Sequence, residues 1–76
     1  MITVRDFVKV AQFESNYAHL AIYDPTGMIE CGYFNGFYKL TEDDPLLDYE
    51  IISISDNFNV KINISEDEAR KQRELH

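Results

Sequence analysis

The chain has one cysteine, two prolines, three glycines and no tryptophan in 76 residues. A single cysteine, Cys31, excludes an internal disulfide and any cysteine-based zinc cluster, and a small domain without such staples fits a reducing interior. With so little Pro and Gly and no low-complexity stretch, the chain does not read as disordered. No apolar run approaches the roughly 20 residues that span a bilayer. MITVRDFVKV lacks the long apolar segment that follows the charges of a secretory leader. The expectation is a cytoplasmic protein with no membrane association.

Positive charge is scarce as well. From Val10 to Val60 the only base is Lys39, against nine acids: Glu14, Asp24, Glu30, Glu42, Asp43, Asp44, Asp48, Glu50 and Asp56. The net charge is −7. Such a body repels nucleic acid and anionic lipid and attracts a basic surface. What the chain does have is 45% hydrophobic residues, including five Phe and five Tyr. Aromatics bury much area each, which a domain of this length needs, because it covers only about 60% of the surface that its unfolded chain exposes.

Thr3 and Asp6 form an approximate capping box, and Val4, Phe7, Val8 and Ala11 make one helical face, which predicts a helix over 3–13. Residues 18–23 and 28–34 read as strands joined by the turn Asp24-Pro25-Thr26-Gly27. PLLD, 45–48, reads as one helical turn whose leucines, Leu46 and Leu47, tuck under the sheet. Residues 49–55 and 58–64 alternate as a second hairpin, with Ile52, Ile54, Phe58, Val60, Ile62 and Ile64 inward. The expected core is Phe7, Val8, Ile52, Ile54, Val60 and Ile62. Ser65 and Glu68 cap a last helix in which only Ala69 and Leu75 are apolar. It is expected to be exposed, frayed or docked on a partner, dispensable for folding, with His76 mobile. The fold expected is α+β: a four-stranded, mainly antiparallel sheet with an N-terminal helix on one face and a polar C-terminal helix. Residues 1–65 form a single domain and 66–76 a polar helical tail.

No catalytic set emerges. His19 and Cys31 are expected on opposite faces of the first hairpin without a third partner, and a lone cysteine is more often a small buried hydrophobe. The acids lack the spacing and central glycine of an EF-hand, and no glycine-rich phosphate loop exists, so neither metal nor cofactor is expected. The candidate partner-binding residues are Glu42, Asp43, Asp44, Asp48 and Glu50, in the stretch TEDDPLLDYE. Carboxylates fixed on a rigid domain can imitate phosphate spacing and so occupy a nucleic-acid groove. GYFNGFYKL places four aromatics around a turn, where full burial is hard, and offers a second interface or a homodimer seam.

The opening MITVRDFVKVAQF, the Asp24–Gly27 turn and the ending YEIISISDNFNVKINIS resemble small, acidic, uncharacterised proteins of phages and prophages of Firmicutes. The resemblance covers residues 1–65 and is one of pattern. Some proteins of that kind are anti-CRISPR inhibitors. The resemblance therefore implies a non-enzymatic, phage-type inhibitor that binds a basic host protein, such as an effector nuclease, through an acidic face and without touching nucleic acid itself. The alternative is a small oligomerising structural or interaction module of phage origin. The basic run in ARKQRE departs from a uniformly acidic mimic.

Overall fold

A computed structural model describes residues 1–11, 19–35, 43–55 and 59–76, with the side chains of Val10, Ala11, His19, Phe34 and Asn35 outside the description. The order is α1 (Val4–Ala11), β1 (His19–Tyr23), β2 (Glu30–Asn35), a 3₁₀ turn (Pro45–Asp48), β3 (Ile51–Ile54), β4 (Asn59–Ile62) and α2 (Glu66–Leu75). The strands form one sheet in the order β2-β1-β4-β3. Both hairpins are antiparallel, but the central pair, β1 and β4, runs parallel, so the sheet is mixed.

The first capping box forms in full, and the second helix has its serine cap. Thr3 and Asp6 exchange bonds, each backbone N–H donating to the other's side chain at 3.1 and 3.2 Å. Ser65 Oγ accepts from the Glu68 N–H at 3.2 Å. Such caps satisfy amides that have no partner inside the helix. In the Asp24–Gly27 turn, Gly27 sits at φ +77°, where a side chain is strained.

One core joins all the elements: Val4, Leu20, Ile22, Ile29, Cys31, Leu46, Leu47, Val60, Ile62, Ile64 and Ala69 are buried. α1 packs on the 3₁₀ turn and α2 on β2. Phe7 and Val8 are half-buried against this core rather than inside it. Val60 and Ile62 are fully buried, but Ile52 and Ile54 are 53% and 47% exposed. For Ile52 the reason is a β-bulge between Ile51 and Ser53, which breaks the period-two alternation. Ile51 takes the place opposite Ile62 and packs on the core. Ile54, opposite Val60, lies at the end of an edge strand where little covers it.

The C-terminal helix is not a loose tail. Ala69 and Gln72 are buried, and Leu75, one of its two apolar residues, is 74% exposed. Residues 69, 72 and 76 fall on one helical stripe. The helix therefore docks through a small side chain, an amide and an imidazole, a pattern that hydrophobic periodicity does not detect. No described helix is long and apolar enough to cross a membrane.

Candidate protein-binding site

The acidic stretch is held by its own backbone chemistry. Asp44 caps the 3₁₀ turn: its Oδ1 accepts from the Leu46 N–H at 3.0 Å, and its carbonyl accepts from the Leu47 N–H at 3.1 Å. Pro45 opens the turn, where a missing N–H costs nothing. Leu46 and Leu47 then enter the core. Leu46 approaches β2 so closely that a Cβ on Gly32 would lie 2.5 Å from its Cδ1. Glycine at 32 is what lets the turn seat against the sheet.

Around this anchored turn, Asp43 and Asp48 are exposed. Arg5 of α1 donates from Nε and Nη2 to Asp48 Oδ1, each at 3.3 Å. Asp48 is 73% exposed in this pair, so the interaction contributes little to stability. Glu50 is set apart. Tyr49 and Ile51 pack on the core, and Glu50, between them in an extended segment, alternates to the other side. The structure thus gathers Asp43, Asp44 and Asp48 at one turn and separates Glu50 from them. Glu42 lies outside the described residues, as do residues 36–40 of the aromatic stretch.

Asp44 has a further partner. His76 Nε2 lies 2.5 Å from Asp44 Oδ2, and its Nδ1 lies 2.7 Å from the Gln72 carbonyl oxygen. Burial alone would lower the His76 pKa. The bonds to Asp44 and the Gln72 carbonyl, with the charge of Asp44, outweigh it and hold the pKa above its ordinary 6.5. His76 is therefore ordered, and nothing in the apolar patterning signalled this.

A second carboxylate is more deeply buried. Asp24, 2% exposed, accepts from the Thr26 hydroxyl at 2.8 and 2.9 Å and from the Met28 and Ile29 N–H groups at 3.1 Å each. Burial works against its charge, but these bonds prevail and its pKa lies below 3.8. This aspartate closes the first hairpin. Its signal in the sequence is the D-P-T-G turn itself.

Cys31 is buried, and burial, with Asp24 and Glu30 nearby, pushes its thiol up to about 11. A thiol so raised stays protonated near neutral pH and is a poor nucleophile. The register pairs His19 with Asn35 and Ile22 with Gly32, so His19 and Cys31 stand at opposite ends of the hairpin. Among the described residues no group of three or more His, Cys, Asp or Glu side chains is placed to hold a metal ion. The face away from the helices carries Tyr23, Lys61 and Ser53 in one cross-strand row. Beside it is an open concavity of about 370 Å³ lined by Tyr23, Gly27, Ser53, Ile54, Ser55, Asn59 and Lys61.

No family model, curated protein or solved structure matches the chain.

Proposed function

We propose that this chain is a non-enzymatic binding module that engages a basic protein surface through the carboxylates of the 3₁₀ turn. The observation that carries this reading is the anchoring of that turn. Two leucines in the core, an aspartate cap and an imidazole from α2 hold Asp43 and Asp48 in fixed positions at the surface. Fixed charges present a defined pattern to a partner at a lower entropic cost than a loose acidic loop. The specific form of the proposal is an inhibitor of phage type that occupies the basic groove of a nucleic-acid-handling host enzyme, the kind of protein that the sequence resembles. Asp48 already meets Arg5, but an exposed pair at 3.3 Å exchanges readily for a partner's guanidinium.

The test neutralises charge without disturbing the anchor. Glu42→Gln, Asp43→Asn and Asp48→Asn together leave Asp44, Leu46 and Leu47 in place. Partners are captured from bacterial lysate, and the affinity of each is then measured with wild-type and variant protein. The variant should bind at least about tenfold more weakly, roughly 1.4 kcal/mol. Wild-type affinity should fall with salt, as the Debye length shrinks from about 10 Å at 0.1 M to about 3 Å at 1 M. Unchanged affinity and salt dependence would overturn the reading. An oligomerising module is the second reading, favoured by Ile52 and Ile54 exposed on the edge strand β3. A dimer in sedimentation that Ile54→Lys dissociates would establish it.

A further inference from the structure

The side chain of His76 has two neighbours that can only accept. Nδ1 faces the Gln72 carbonyl and Nε2 faces the Asp44 carboxylate, at 2.7 and 2.5 Å. A neutral imidazole has one N–H and satisfies one of them. Only the imidazolium donates to both. The backbone N–H of His76 also donates to the Gln72 carbonyl, at 3.1 Å, so the last turn of α2 closes on the same oxygen. At its other end the bridge reaches the carboxylate that caps the 3₁₀ turn. Asp44 and His76 are 32 residues apart in sequence, and this imidazole bridges the two elements.

We propose that His76 is a proton-operated latch that fastens the acidic turn 43–48 to α2, so that the geometry of the binding surface depends on pH. The inference rests on the reading of that turn as a binding surface for its regulatory meaning, but the latch itself needs no partner. Protonated, His76 holds Asp44 and the end of α2 together. Deprotonated, it gives up one of its two bonds, and the surface becomes more negative by one charge while its anchor loosens. The other groups that face the imidazole are Arg73 on its own helix and Glu30, Cys31 and Tyr33 on β2, which with Gly32 line a cavity of about 170 Å³. Arg73 disfavours the imidazolium and Glu30 favours it. Among the described charged groups, Asp44 is the one that bonds to the ring. The raised pKa of His76 sets the direction: the latch is fully engaged below pH 6.5 and is lost as pH rises through the folded value.

The experiment is an NMR titration of the intact chain from about pH 5 to about pH 9. The His76 ring resonances should titrate above the ordinary histidine value. The Leu46 and His76 amides should move with the same midpoint. In Asp44→Asn, whose side-chain oxygen can still cap the turn, the midpoint should fall and the Leu46 amide should no longer follow it. A wild-type midpoint at or below the ordinary value, or one that Asp44→Asn leaves unchanged, would overturn the latch. Melting temperatures of wild type and His76→Gln across the same range give a second readout that does not depend on that variant folding. The gap between the two should be widest at the acid end and close towards the alkaline end, whereas a constant gap would also overturn the proposal. Both readouts use the chain alone, so a failed partner-binding test leaves this result standing, and the reverse.

Discussion

Asp24 and Asp44 each tie down a turn, but with partners drawn from different distances. Asp24 takes all its bonds from residues 26–29, within its own hairpin. Asp44 caps locally through Leu46 and then reaches across the fold to His76. The first arrangement is complete as soon as the hairpin forms. The second exists only when α2 has docked. The two also carry opposite pH signatures. The lowered pKa of Asp24 means that its contribution is present above pH 3.8 and is lost as pH falls through its folded value. The raised pKa of His76 means that the contribution of its bond to Asp44 is lost as pH rises through the folded value. Stability limited by a local turn on the acid side and by a long-range clasp on the alkaline side is what this difference teaches.

The hardest way to break the contrast is to remove α2. Deleting residues 69–76 takes away Ala69, Gln72 and His76 and uncovers the side of the core beside β2. The loss should match a large-to-small core substitution, about 2–5 kcal/mol. In a domain of this size that is a fall in melting temperature of at least about 8 °C. Hydrogen exchange on whatever folded fraction remains should show the Leu46 amide losing protection more than the Ile29 amide.

A milder break is local. Asp24→Ala strands the buried Ile29 N–H, while the Met28 N–H keeps the Thr26 hydroxyl oxygen, and should cost about 1.5–3 kcal/mol by chemical denaturation, the scale of hydrogen bonds to a charged group. Asp44→Ala should cost less at the alkaline end, where the clasp is already open. An equal cost for the two substitutions there would erase the distinction between them. The smallest effect sharpens it. Gln72 is 4% exposed, and its Oε1 finds no hydrogen-bond partner among the described residues. Replacing a buried amide that is half satisfied by an apolar group of similar length removes an unmet polar atom. Gln72→Met should therefore raise stability by up to about 1 kcal/mol and leave the backbone carbonyl that His76 uses.

The same divide explains what the sequence disclosed. Features set by neighbours within a few residues were legible: the Thr3–Asp6 capping box, the Ser65 cap, the D-P-T-G turn, the PLLD turn with its two buried leucines, and the alternation of β4. The architecture followed from them, a four-stranded sheet with a helix from each end of the chain. Features that depend on distant partners were not. Parallel pairing of β1 with β4 has no local signature, since it is decided by which strands meet. The bulge between Ile51 and Ser53 turns Ile52 out of the core, and the edge position leaves Ile54 uncovered, although the sequence alternates. The sequence of α2 reads as a tail because its docking stripe is Ala69, Gln72 and His76, with no apolar run. At the acidic turn, the carboxylates were legible as charges. The role of Asp44 as both cap and clasp, and the separation of Glu50, needed the backbone.

The parallel pairing at the centre of the sheet governs how the chain reaches its fold. Ala21 pairs with Asn59, half the length of the chain away. Closing a loop of that size costs about 3 kcal/mol in chain entropy from length alone. An isolated hairpin of either kind is marginal in water and cannot meet that cost beforehand. Neither half of the molecule is therefore a folding unit. The two hairpins must find each other early, and the chain should cross a single, topology-limited barrier slowly for its size, with no half-folded species accumulating on the way.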